Sequence, residues 1–210
     1  MRLLIIGATG GTGRQLVAQA LDRGHRVTAF ARSPWKIKER HPRLTVVQGD
    51  VLDRLSVEAA VRDQDAVLCA LGHRRWFYPN VILSTGTWNI LGAMDGNGVR
   101  RFICLTSLGV GDSFARLGLL HTLFVIPFVL PFYFWDKERQ EEIIRESDLD
   151  WVIVRPGVLT DDPPRGGYHH GPRAGHWLWT PRISRADVAD FMLNQLSNNT
   201  YLRESPGICW

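Results

Sequence analysis

Three groups of residues in this chain have the types and spacing to do chemistry. The first is the run Gly7-Ala8-Thr9-Gly10-Gly11-Thr12-Gly13. Glycines at this G-x-x-G-x-x-G spacing let the backbone turn tightly and bring N–H groups close to an anion, as the pyrophosphate of a dinucleotide requires. The second is Arg32-Ser33 with Lys36 shortly after. A guanidinium, a hydroxyl and an ammonium suit the 2′-phosphate of NADP, and no carboxylate stands there to hold the free 2′-hydroxyl of NAD. Read as solvated charge at a helix start, the same residues leave that preference open. The third is Ser107 with Lys137, a hydroxyl and an ammonium suited to the reacting end of a cofactor.

These groups need elements to position them. The apolar run Leu3-Leu4-Ile5-Ile6 predicts a buried strand over Arg2 to Ile6, and a helix runs from the glycine turn to about Arg23. Strands follow at Arg26–Ala31, Leu44–Gln48, Ala66–Leu71, Arg101–Thr106 and Trp151–Arg155, and a long helix spans about Val81 to Asn97. Strands alternating with helices predict one α/β domain over 1–210. Its fold class is a single doubly wound parallel sheet, the Rossmann fold, with helices on both faces. Ligands of such sheets sit at the carboxyl ends of the strands. That places Asp50 after the third strand, for the adenine or as a helix cap with Asp53 the other cap candidate. Gly72 falls after the fourth strand, against the ribose. Ser107 falls after the fifth, for work or as a strand cap. Arg74, in His73-Arg74-Arg75, is a rim cation for a phosphate or a carboxylate.

The length suits one domain with a sizeable core. With 45% hydrophobic and 22% charged residues the balance is globular, and a net charge of +4 suits an anionic cofactor. No basic run interleaved with aromatics points to nucleic acid. Cys69, Cys104 and Cys209 lack metal spacing. Two fall in strands, which predicts reduced core thiols in a cytoplasmic protein. A strand starting at residue 2 leaves no room for a signal peptide. His169, His170 and His176 have no Cys or carboxylate constellation around them, so no metal is expected.

The stretch Leu117 to Trp135 is 19 residues without a formal charge if His121 is neutral. Its length suits a membrane span. However, it lies inside one sheet domain, and Pro127 and Pro131 interrupt it. It reads as a hydrophobic lid or an oligomer contact of a monomer or weak homo-oligomer, with membrane-surface contact the lesser alternative. A charged helix is expected to open at Asp136, and a last helix at Ile183 with Ser184 as cap. The substrate side is expected near 108–135 and 158–182.

The glycine turn, Gly49-Asp50-Val51, Leu71-Gly72, Thr106-Ser107, Arg155-Pro156-Gly157 and Ile183-Ser184-Arg185-Ala186-Asp187-Val188-Ala189 occur in order. Over nearly the whole chain they resemble the atypical short-chain dehydrogenases of the NAD(P)H-binding, NmrA-like type, on the branch of the biliverdin and flavin reductases. The resemblance gives Gly7, Thr9, Gly10 and Thr12 to the pyrophosphate and Arg32 and Lys36 to the 2′-phosphate. It gives Asp50 and Val51 to the adenine, Leu71 and Gly72 to the ribose or nicotinamide, and Pro156 and Val158 to the back of the nicotinamide. Ser107 matches the active-site serine. It departs from that branch at Lys137 and Val158.

Two functions follow as expectations. One is an NADPH-dependent reductase passing hydride to a planar conjugated acceptor, biliverdin to give bilirubin, or a flavin. The other is an NADP-binding redox sensor or assembly factor without turnover. Tyr133-x-x-x-Lys137 fits the spacing of a tyrosine acid beside a lysine. In its apolar, proline-broken context Tyr133 reads instead as aromatic core or lid, and Lys137 as a contact to the nicotinamide ribose.

Overall fold

The structure is a computed structural model in which residues 1–73 and 78–210 are described. Strands β1 (Arg2–Ile6), β2 (Arg26–Ala31), β3 (Leu44–Gln48), β4 (Ala66–Cys69), β5 (Arg101–Leu105) and β6 (Asp150–Pro156) pair in parallel in the order β3-β2-β1-β4-β5-β6. This is the Rossmann order, and it reverses between β1 and β4, where such sheets open a crevice. Beyond β6 the sheet continues into β10 (Gly207–Cys209), parallel, and β8 (His169–Gly171), antiparallel. A second, two-stranded parallel sheet joins β7 (Val158–Thr160) to β9 (Arg182–Ser184). The doubly wound parallel sheet is as the sequence predicts, with the antiparallel edge and the small second sheet added to it.

Alternation within the strands divides the core into two. Leu3 and Ile5 of β1 pack with Leu16 and Val17 of α1 (Gly11–Asp22) and with Val188 and Phe191 of α5 (Arg185–Asn194). Leu4 and Ile6 face the other way. They pack with Val57 of α2 (Arg54–Val61), Ile90 and Met94 of α3 (Ile82–Gly96), and Ile144 of α4 (Pro131–Arg145). The central strand β1 is thus apolar on both faces, as a sheet covered by helices on both sides requires. All three cysteines are free and buried.

Several boundaries differ from the expectation. β4 stops at Cys69, so Leu71 and Gly72 belong to the loop after it. α4 opens at Pro131 rather than Asp136. Proline is welcome in the first turn of a helix, where its missing N–H has no partner to lose, so Pro131 starts the helix instead of breaking the segment. Ser184 does cap α5, its hydroxyl accepting from the Asp187 N–H, but Ile183 is in β9. Asp53 caps α2 by accepting from the Leu55 N–H, and Asp50 accepts from the Leu52 N–H. The middle of the uncharged stretch forms a π-helix, His121–Val129, with Pro127 inside it. Among the described residues no helix is long and apolar enough to cross a membrane.

Candidate functional site

The glycine turn joins β1 to α1 where the sheet order reverses. Gly7 has φ +79°, and a Cβ on it would lie 2.4 Å from the Ala70 carbonyl oxygen. Only glycine fits that conformation beside the end of β4. A Cβ on Gly13 would lie 2.1 Å from the Gly7 carbonyl oxygen, so Gly13 lets the first turn of α1 press onto the loop. Helix α1 begins after Gly10 with no side-chain cap and no acidic residue in its first turn. Its N–H groups and its dipole therefore face the loop, ready for an anion.

The turn opens into a cleft of about 1290 Å³ that runs past the carboxyl ends of β1, β2, β4, β5 and β6. Gly7, Thr9, Gly10, Gly11 and Thr12 line it, with Gly13 behind them. Arg32 and Lys36 line it beyond β2, whereas Ser33 precedes a 3₁₀ turn over Pro34–Lys36 and does not. Val51 lines it and Asp50 does not. Leu71, Gly72, Ser107, Lys137, Pro156 and Val158 complete the expected set. A Cβ on Gly72 would meet only the Tyr133 hydroxyl, at 3.8 Å, so this backbone is open toward the cleft. Arg74 lies outside the described residues.

Sequence reasoning missed two cations. Arg14, in the first turn of α1, lines the cleft and reaches the Lys36 carbonyl at 3.5 Å. Arg185, at the start of α5, lies across Gly11, where a Cβ would meet its Cδ at 2.5 Å, and pairs with Asp161 at 2.8 Å. The position of Arg14, just inside the helix that the glycine turn opens, was the available signal. Nothing local marks Arg185, which arrives from the far end of the chain. Arg14, Arg32, Lys36, Lys137 and Arg185 are the charged residues among the described lining residues, and no carboxylate is among them. A cleft with that balance attracts anions. With the glycine cradle, its donors fit a phosphate-bearing dinucleotide.

At the far end of the cleft Ser107, Tyr133 and Lys137 come together. The Ser107 hydroxyl donates to the Leu108 carbonyl at 2.8 Å. Lys137 is only 2% exposed. Its Nζ lies 3.4 Å from the Leu105 carbonyl oxygen and 5.3 Å from the centre of the Tyr133 ring. Because α4 starts at Pro131, Tyr133 and Lys137 are one turn apart on one helical face. Tyr133 thus lines the same cleft as Ser107. Val125, Val129 and Leu130 form an apolar wall beside them.

Buried polar groups hold this end in place. Glu141 of α4 accepts from the Thr106 hydroxyl at 2.7 Å, from Arg155 at 3.0 and 2.6 Å, and from Arg145 at 2.7 Å. Arg155 also pairs with Asp112 at 2.7 Å. Burial pushes the Arg155 guanidinium down, but Glu141 and Asp112 more than offset this and raise it. Burial likewise pushes Asp112 up, and Arg155 brings it below the usual carboxylate range. Asp136 is wholly buried and accepts from the N–H groups of Leu83 and Ser84 and from the Ser84 hydroxyl. It caps α3, whose own N-cap, Val81, has no side chain to do so. The histidines do not form a metal cluster. His170 Nδ1 pairs with the Tyr201 hydroxyl at 2.6 Å, and His176 Nδ1 accepts from the N–H groups of Leu178 and Trp179. Among the described residues no group of His, Cys, Asp or Glu is arranged to hold a metal ion.

Comparison with known proteins agrees with this geometry. Residues 7–199 match the model of a family described as NAD(P)H-binding. An uncharacterized chloroplastic protein of Arabidopsis thaliana is 33% identical over 205 residues, which cover 93% of this chain and 71% of that one. The photosystem II assembly factor Ycf39 of Synechocystis is 32% identical over 160 residues, covering 74% of this chain and 44% of that protein. Against several other curated relatives the chain spans only 32% of their length. Among solved structures, the anaerobilin reductase ChuY of Escherichia coli O157:H7 superposes with a TM-score of 0.82 at 22% identity. The superposition covers 100% of this chain and 97% of that one.

Proposed function

The chain belongs to the NAD(P)H-binding family, and from that premise we propose that it is an NADPH-dependent reductase that passes hydride to a planar conjugated acceptor, a linear tetrapyrrole such as biliverdin or a flavin. The observation that carries the reading is the cleft itself: a glycine cradle and five cations without a carboxylate among the described lining residues, ending at Ser107, Tyr133 and Lys137 beside an apolar wall.

When bound, the nicotinamide supplies a hydride. The chain's own residues bind, orient and exclude water. The glycine turn and the start of α1 would hold the pyrophosphate. Arg32 and Lys36, with Arg14 beside them, would hold the 2′-phosphate, and Val51 would offer apolar surface to the adenine. Lys137 would hold the nicotinamide ribose. Ser107 would orient the nicotinamide or hold the acceptor, turning its hydroxyl away from the Leu108 carbonyl. Val125, Val129 and Leu130 keep that end dry, which strengthens every polar contact there. A conjugated acceptor takes hydride into its own π-system and a proton from solvent, so no side-chain acid is needed. The apolar wall supports this acceptor class, and a neighbour of the same fold is described as an anaerobilin reductase.

The test is steady-state NADPH oxidation with biliverdin and, separately, with FMN. Ser107→Ala is expected to lower kcat by up to about a hundredfold through misplacement, with little change in NADPH affinity. Tyr133→Phe is expected to leave the rate near wild type. If instead Tyr133→Phe abolishes turnover and Ser107→Ala does not, tyrosine acid catalysis on a carbonyl acceptor replaces this reading. Arg32→Ala is expected to weaken NADPH about tenfold to a hundredfold relative to NADH, because only NADPH carries the 2′-phosphate. Equal weakening of both cofactors would show that Arg32 does not read that phosphate. A second reading, an NADP-binding sensor or assembly factor, is favoured by the exposed apolar surface beside the cleft. Tight NADPH binding without turnover of any acceptor would select it.

A further inference from the structure

The π-helix His121–Val129 has two faces with different surroundings. Val125 and Val129 line the cleft. Leu120, Phe124 and Phe128, at four-residue intervals, are turned to solvent, with Phe124 58% and Phe128 76% exposed. A second segment continues this outer face. The Leu119 N–H reaches the Leu178 carbonyl, His121 Nδ1 pairs with the Thr180 hydroxyl at 3.1 Å, and the His176 N–H donates to the Arg116 carbonyl at 2.9 Å. These contacts hold the segment that carries Trp177 and Trp179, 63% and 71% exposed, against the start of the π-helix that carries the exposed phenylalanines. So many large apolar side chains exposed on two adjoining segments are uncommon on a protein that meets only water.

The charge around it is net positive, although the exposed carboxylates Asp112, Asp161 and Asp162 stand at its borders and Asp161 pairs with Arg185. Residues 113–135 and 163–186, which build this face, contain Arg116, Arg165, Arg173, Arg182 and Arg185 and no Asp or Glu. Arg165, Arg173 and Arg182 line a separate cavity of about 930 Å³ that Trp179 also borders, and Asp162 is the only carboxylate among its described lining residues. Arg165 lies 3.8 Å over the Trp210 ring.

We infer that this face docks on an anionic lipid bilayer, with Phe124, Phe128, Trp177 and Trp179 in the interface and the arginines against the headgroup phosphates. Exposed aromatic side chains with arginines on the same segments are suited to that depth, where apolar burial and attraction to anionic lipid add. A second copy of the chain fits less well. A two-fold contact would bring this net-positive rim against itself, with arginines outnumbering the carboxylates Asp112, Asp161 and Asp162. This docking does not depend on the reductase reading, since lipid binding is measured without turnover.

The experiment is flotation of the full chain with vesicles of phosphatidylcholine alone or with 30% phosphatidylglycerol, at low salt and at 0.5 M salt. Tryptophan quenching by brominated phosphatidylcholine is read in parallel. The expected result is binding at least tenfold stronger to the anionic vesicles, weakened by salt, with quenching. The double variant Phe124→Ser/Phe128→Ser is expected to lose both flotation and quenching while keeping its fold and NADPH affinity. The double variant Arg173→Ala/Arg182→Ala is expected to weaken binding about fivefold for each arginine removed. Equal binding to neutral vesicles, or binding indifferent to the phenylalanine variant, would overturn the inference. So would absence of flotation from a chain that sediments as a dimer and becomes monomeric in that variant, because a second copy would then be the occupant. A partner protein that binds this face of a chain unable to float would overturn it equally.

Discussion

At the dinucleotide end of the cleft, Gly7, Gly10 and Gly13 shape one another within seven residues of chain. At the acceptor end almost every decisive contact crosses the sequence. Asp136 caps a helix that begins more than fifty residues earlier, and Glu141 gathers Thr106 and Arg155. Outside the cleft, beside the separate cavity, Asp187 is held in the same long-range way, accepting from the N–H groups of Arg165 and Gly166 and from the Trp210 indole. The first end is a local backbone device, which any chain with those glycines between a strand and a helix can build. The second is a set of buried charges that depends on the finished fold. The glycine end should therefore be sensitive to added volume, and the acceptor end to removed charge.

The largest expected effect tests the second half of that contrast. Glu141 is fully buried and meets Arg155, itself buried, through two hydrogen bonds. Glu141→Ala leaves Arg155 with only the exposed Asp112 and leaves the Thr106 hydroxyl without its acceptor. The expected loss is about 3–5 kcal/mol, as for a broken buried ion pair. Urea unfolding measures it, and a loss below about 1 kcal/mol would mean that the acceptor end does not rest on this charge.

This contrast also explains what was legible in the sequence. Strands β1 to β6, the glycine turn and the Ser184 cap were readable because alternation, glycine spacing and capping chemistry are written in adjacent residues. The start of α4 was not, because Pro131 was read as a breaker when it occupies the position where a helix accepts proline. The Tyr133-x-x-x-Lys137 spacing is visible in the sequence, but the helix that puts both on one face is not; Tyr133 packs against the apolar cluster of Leu108, Val110, Leu117, Ile126 and Phe134 while lining the cleft. Strands β7, β9 and β10 were illegible for another reason. Three residues carry no periodicity, and their pairings with one another and with β6 and β8 exist only once the chain has folded. Arg185 shows the same limit at the cleft itself, since nothing near it in sequence announces that it will lie over Gly11.

A smaller effect sharpens the first half. In Gly13→Ala the added methyl meets the Gly7 carbonyl oxygen and the Ala8 Cα, both backbone atoms that cannot turn aside. Helix α1 must shift away from the loop. The expected cost is about 1–3 kcal/mol of stability, with NADPH affinity falling further than nucleotide-independent properties such as vesicle binding. Thermal melts with and without NADPH separate the two. A variant that keeps both wild-type stability and a wild-type shift on adding NADPH would show that the close approach of helix and loop is dispensable.

The smallest effect concerns acid. Burial alone would push the Asp187 carboxyl up, but the N–H groups of Arg165 and Gly166, the Ser184 hydroxyl and the Trp210 indole bring it below the usual carboxylate range. A carboxyl depressed in the folded state binds its proton more readily in the unfolded chain, so it stabilises the fold fully above the unfolded value of about 3.9. That stabilisation falls away as pH drops below about 3.9 toward and through the lower folded value. Asp187→Asn keeps the shape but not the charge, so it should be less stable than wild type at pH 7. The difference should narrow below about pH 4. Melting temperatures of the two proteins across that range measure it. A gap that stays constant from pH 7 to pH 3 would mean that the segment around 165–166 and Trp210 are held by the shape of the Asp187 side chain, and the contrast between local backbone devices and buried charge would then not extend to this part of the fold.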